Sequence, residues 1–202
     1  MKIEELKKVQ KVVKTDYQLA LDLFDTGIYD AMYLAGLIAD DARMTRKDPN
    51  GWVKKAYCST LGEYTVAWVA AGSRFGYELA LGWIESKDER VAATGWSTLG
   101  GLLAITPDED LELEELSALF DRIRTTIHDA PNRVRYTMNA FAIALGIYVE
   151  PLSGRVKKAM KEIGPVTADM GGTACKTPLA PDYIAKAEKR GVIGRKRKTV
   201  KC

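Results

Sequence analysis

Near its end the chain reads DMGGTACKTP, Asp169 to Pro178, with two glycines, a threonine, a cysteine and a lysine in a short space. A Walker-type phosphate loop needs GxxxxGK[ST] between a strand and a helix. Here Cys175, not glycine, precedes Lys176, and no strand leads in. A cysteine nucleophile needs a neighbouring base. His128 is the single histidine, and nothing in the sequence brings Cys175 or Cys58 beside it. The stretch therefore reads as a structured corner. Gly171 and Gly172 permit positive φ or close backbone approach. Asp169 and Thr173 can bond nearby amides, and Lys176 can point toward a groove.

Other residues carry chemistry at longer range. Glu63 can stabilise a developing positive charge. Its competing reading is an exposed residue in the first turn of a helix, favoured there by the macrodipole. Trp52, Trp68, Trp83 and Trp96 include candidates for stacking on bases; on apolar helix faces most read as core, and Trp96 is the best placed for a cleft. Arg90, Arg133 and Arg135 stand where helices begin, either as a row meeting phosphates or as a ladder of surface ion pairs. Arg195, Lys196, Arg197 and Lys198 are four adjacent cations, a stronger phosphate candidate. One histidine and three scattered cysteines (Cys58, Cys175, Cys202) do not make a ligand set, so neither a metal nor another cofactor is expected.

Charge supports a polyanionic partner. The net charge is +3 over 202 residues, but from Pro151 onward 13 basic residues face 4 acidic ones. That end carries +9 and the rest −6. Lysine and arginine release counterions when they meet phosphates. No apolar run approaches the ~18 residues a membrane helix needs, so no membrane partner is expected. The charged amphipathic start, MKIEELKKVQKVVK, does not read as a secretory signal. An odd cysteine count without a pairing pattern fits reduced thiols in a cytoplasm.

These groups must be positioned by helices. Apolar residues at helical spacing recur over 29–40, 63–71, 75–84, 90–105, 111–127 and 134–148, with one more helix over 152–163 and a short one over 181–190. Thr106-Pro107, Ala130-Pro131 and Glu150-Pro151 mark boundaries. ERVAATGWSTLGGLLAI from Glu89 aligns with NRVRYTMNAFAIALGIY from Asn132: Arg90 with Arg133, Val91 with Val134, Thr94 with Thr137, Leu102 with Leu145, a constant shift of 43 residues. A helix pair at this period is the mark of HEAT-like repeats, which stack into an α-α superhelix with a concave binding face. The expected architecture is all-α: repeats over 1–163, then a Gly/Thr-rich loop, a short helix and a basic end over 164–202, packed on the same domain.

YDAMYLAGLIADD, LGEYTVAWVAAGSRFGYELALGWIES, APNRVRYTMNAFAIALG and MGGTACKTPLAPDYI resemble the HEAT-like DNA alkylation repair proteins, the AlkD-like alkylpurine DNA glycosylases, from about Tyr29 to Cys202. The resemblance implies a protein that binds double-stranded DNA on a basic concave face and removes cationic N3- or N7-alkylated purines without a metal; the sequence leaves the oligomeric state open, with a monomer favoured. In the family an aspartate, with a tryptophan four positions before it, stabilises the sugar cation. This chain departs there: an ungapped alignment places Cys58 near the aspartate and Lys54 near the tryptophan, and Glu63 is the nearest carboxylate. The family's arginine falls near Ala93, one turn from Arg90. A non-catalytic nucleic-acid binder and a protein-interaction scaffold stay open as alternatives.

Overall fold

The computed structural model describes residues 2–172 and 175–201, and among them every regular element is helical. The chain divides into two compact units, Met1–Thr98 with Val200–Cys202, and Leu99–Thr199.

The first unit holds α1 (Ile3–Val13), α2 (Tyr17–Asp25), α3 (Tyr29–Ile38), α4 (Lys47–Lys55), a π-helical turn (Leu61–Val66) running into α5 (Ala67–Gly72), α6 (Gly76–Ile84), and the first part of α7 (Glu89–Ile105). Asp16 caps α2 by accepting the Leu19 N–H at 3.0 Å, satisfying one donor left over at the helix start. Pro49 lies in the first turn of α4, where its missing N–H costs nothing. The core is aromatic and tight: Phe24 and Trp52 stack with centroids 4.0 Å apart, and the Trp83 indole donates to Asn50 Oδ1. Gly36 lets α3 lie against the π-helical turn, for a Cβ there would sit 2.6 Å from Thr65 Cγ2.

The second unit holds the rest of α7, then α8 (Leu113–Thr126), α9 (Asn132–Tyr148), α10 (Glu150–Ile163) and α11 (Ala180–Lys189). Helices α10 and α11 pack on α9 and on each other. Their meeting point is Gly146, where an added Cβ would lie 2.4 Å from Ile184 Cδ1 and 3.4 Å from Val156 Cγ1. Ser153 Oγ donates to the Gly146 carbonyl at 2.6 Å. Helix α11 ends with Gly191 at φ 63° just past its cap, a conformation glycine adopts without strain.

The sequence repeat is a structural one. Helices α7 and α9 are each 17 residues long, and the 43-residue shift carries Glu89–Ile105 onto Asn132–Tyr148 at both ends. The matched threonines do the same thing in each: Thr94 Oγ1 donates to the Arg90 carbonyl and Thr137 Oγ1 to the Arg133 carbonyl. Three helices, α1, α2 and α4, lie outside the segments of helical spacing legible in the sequence.

Candidate nucleic-acid interface

The basic end is pinned rather than loose. Gly194 N–H donates to the Ile147 carbonyl and Arg197 N–H to the Ala104 carbonyl at 2.7 Å. Lys196 Nζ donates to the Leu103 and Tyr148 carbonyls, at 3.1 and 2.8 Å, and pairs with Asp108 at 2.7 Å. These carbonyls belong to the last turns of α7 and α9, where the helix dipole favours a cation. Lys196 is therefore committed to the fold, and its neighbours Arg195, Arg197 and Lys198 are exposed. Val200 is buried, and Lys201 Nζ donates to the Ala39 carbonyl and pairs with Asp41, both at 2.8 Å or less.

The loop before α11 is tied to α9. Asn132 Nδ2 donates to the Asp169 carbonyl, and the Asp169 N–H donates back to Asn132 Oδ1. The side chain of Asp169 accepts the Gly171 N–H at 2.8 Å, closing the turn that Gly171 (φ 66°) and Gly172 (φ 74°) make in the left-handed region. Asn139 Nδ2 donates to the Pro178 carbonyl, and Thr177 Oγ1 accepts the Ala168 N–H. The corner read from the sequence is there. Lys176 and Cys175 are exposed on it; Thr173 lies outside the described residues.

The three arginines have distinct settings. Arg90 pairs with Asp88 on its own turn at 3.2 Å and, by hydrogen bonding, holds that carboxyl below the usual range. The Arg133 guanidinium lies over the Tyr136 ring, 4.4 Å from its centroid, and reaches Met170 Sδ. Arg135 Nη1 donates to the His128 carbonyl at 3.4 Å, and its Nε is buried without a hydrogen bond among the described residues. His128 Nε2 donates to the Ile163 carbonyl at the end of α10, so its ring serves packing of the helix ends.

Two expectations need correction. Glu63 is not an exposed first-turn residue: only 7% of it is exposed, inside the π-helical turn. Trp96 is 0% exposed, so it offers no face to a base. Trp52, Trp68 and Trp83 are also core. Lys54 is exposed and Cys58 half-buried. Two roles were not legible in the sequence: Asn132 clamps the loop and Lys201 is an anchor. Asn132 carries only the ordinary signal of a polar residue starting a helix, and Lys201 looks like one more tail cation.

This repeated helix, with a basic end fastened onto it in an all-helical chain, defines a protein of the HEAT-like helical repeat class. No family model matches the chain. It is 32% identical over 195 residues to the uncharacterized proteins Lin0241 of Listeria innocua and Lmo0209 of Listeria monocytogenes, covering 94% of this chain and 83% of each relative. A solved structure, described as a new family of proteins related to the HEAT-like repeat DNA glycosylases with affinity for branched DNA structures, superposes with a TM-score of 0.89. It is 34% identical, over 98% of this chain and 85% of that one. The chain belongs to this family related to the HEAT-like repeat DNA glycosylases.

Proposed function

We propose that this protein binds DNA, with branched structures as the preferred form, and that its basic carboxy-terminal segment makes phosphate contacts to the duplex arms. The observation that carries the reading is the pinned segment: Arg195, Arg197 and Lys198 are exposed on a backbone held by Lys196 and by the Arg197 N–H. Cations carried on a backbone fixed in advance lose less freedom on binding than those of a loose tail. Affinity of the solved relative for branched DNA supports the choice of ligand. Arg90, Arg133, Arg135 and Lys176 are further candidates for phosphate contact.

The test is binding to duplex, three-way and four-way DNA across a salt series. Each neutralised phosphate contributes about 0.9 to the slope of log K against log salt. The variant Arg195→Ala/Arg197→Ala/Lys198→Ala therefore loses a slope of up to about 3. Binding that ignores salt, or a wild-type slope in the triple variant, defeats the reading.

A second reading is favoured by one observation, the burial of Glu63 in a π-helical turn. Such turns occur frequently at functional sites. As a glycosylase on cationic N3- or N7-alkylated purines, the protein would use Glu63 to stabilise the positive charge that builds on the sugar, and water would complete the hydrolysis. The measurement is release of methylated purine from alkylated duplex. Release that Glu63→Gln abolishes supports this reading; no release by the wild type leaves binding as the function.

A further inference from the structure

Residues 61–71 are buried at every position except one. The exception is Tyr64, 43% exposed. A helix buried all round normally keeps its aromatics inside, so a lone emergent ring needs a reason. Tyr64 meets Trp68 edge-on at 5.8 Å; Trp68 meets Tyr33 at 5.6 Å and 81°; Tyr33 meets Tyr29 at 6.4 Å. The result is a row of four rings. The inner two, Tyr33 and Trp68, are core, and the outer two, Tyr29 and Tyr64, reach solvent. The close approach of α3 to the π-helical turn, which Gly36 allows, holds the row together.

We infer that Tyr29 and Tyr64 form a stacking platform for unpaired nucleobases, such as those at an open branch point or a gap. The inference rests on the DNA-binding reading above and names which part of a branched DNA this unit takes. Every base has a π-face, so stacking on tyrosine tolerates sequence. Bases inside a fully paired arm are already stacked on one another and have no face to give. The platform therefore separates DNA with unpaired bases from fully paired DNA.

The experiment compares two three-way junctions, one with unpaired bases at the branch and one fully paired, with 2-aminopurine at an unpaired position of the first. Wild-type protein is expected to quench the 2-aminopurine. Tyr64→Ala and Tyr29→Ala are each expected to bind the unpaired junction about 10-fold more weakly, within the range for loss of one stacked base. Their affinity for the paired junction stays unchanged. Tyr64→Phe retains wild-type behaviour. Tyr64→Leu keeps an apolar contact with Trp68 but has no π-face, so it guards against a folding artefact and is expected to behave like Tyr64→Ala. Equal losses on both junctions, no loss on either, or damage by Tyr64→Phe overturns the platform while DNA binding stands. Failure of the wild type to bind any of these DNAs overturns the platform and the DNA-binding reading together.

Discussion

The pair formed by Lys201 and Asp41 predicts a specific dependence of stability on pH. Asp41 follows α3, and its carboxylate packs against Gly72, where a Cβ would stand 2.3 Å from Oδ2. Lys201 Nζ lies 2.7 Å from Asp41 Oδ1, with their side chains only 11% and 19% exposed. Burial pushes the Asp41 carboxyl up to about 6, against the opposing charge and hydrogen bond of Lys201; the neighbouring Asp40 adds to the rise. The rise of about 2 units over the ordinary 3.8 corresponds to about 3 kcal/mol. Because the folded value is above the unfolded one, the folded state holds this proton more tightly. The stabilisation from it is complete below about pH 4 and is lost as pH rises through about 6. Asp41→Asn should remove this loss. Lys201→Ala removes both influences that lower the Asp41 value, so it should cost about 3–5 kcal/mol at pH 8, where a carboxylate is left buried alone. At pH 4 the same variant should cost much less. All four tryptophans lie in the unit that contains this pair, so tryptophan fluorescence during urea unfolding follows the right part of the chain. Wild type, both single variants and the double variant between pH 4 and 8 complete the cycle. A cost of Lys201→Ala that is equal at the two ends of this range would refute the reasoning.

Gly146→Ala forces a methyl into Ile184 and Val156, and overpacking of this kind should destabilise the second unit by about 1–3 kcal/mol in urea unfolding followed by circular dichroism. Asn132→Ala removes two hydrogen bonds to Asp169, so limited proteolysis within 165–178 should quicken while helix content is unchanged. Arg155→Ala should return the Asp121 carboxyl, held low chiefly by hydrogen bonding to Arg155, toward its ordinary value in an NMR titration. A residual depression should remain from Arg124.

The repeat was legible because its signal is periodic: arginine, valine, threonine and leucine return at one spacing, and the threonines make the same backbone bond in both copies. Helix α4 was hidden by its own composition. Asp48-Pro49-Asn50-Gly51 reads as a turn, yet Pro49 is harmless in a first turn, and Trp52 and Val53 bury the helix from within. Trp96 was legible as an aromatic on an apolar face and not as a fully enclosed one, since enclosure depends on which helices cover that face. The basic run was legible as charge. Its division into one structural cation, Lys196, and three exposed neighbours depends on which carbonyls end α7 and α9 nearby.

Glu63 failed for a geometric reason. A helical wheel assumes 3.6 residues per turn, and on that wheel Glu63 can begin a helix facing water. The Ala67 N–H instead reaches back five residues to the Gly62 carbonyl, which inserts a residue into the turn. One inserted residue rotates whatever precedes it by about 100° relative to α5. The polar Glu63 is turned inward and the aromatic Tyr64 outward, the reverse of what hydropathy alone would assign. The turn also needs room: at Gly62 a Cβ would meet Thr94 Oγ1 at 2.5 Å. That threonine is the repeat position whose hydroxyl is already bonded to its own helix. A contact between a glycine and a repeat threonine 32 residues away thus accommodates the π-helical turn, and the turn sets which of two adjacent side chains faces solvent.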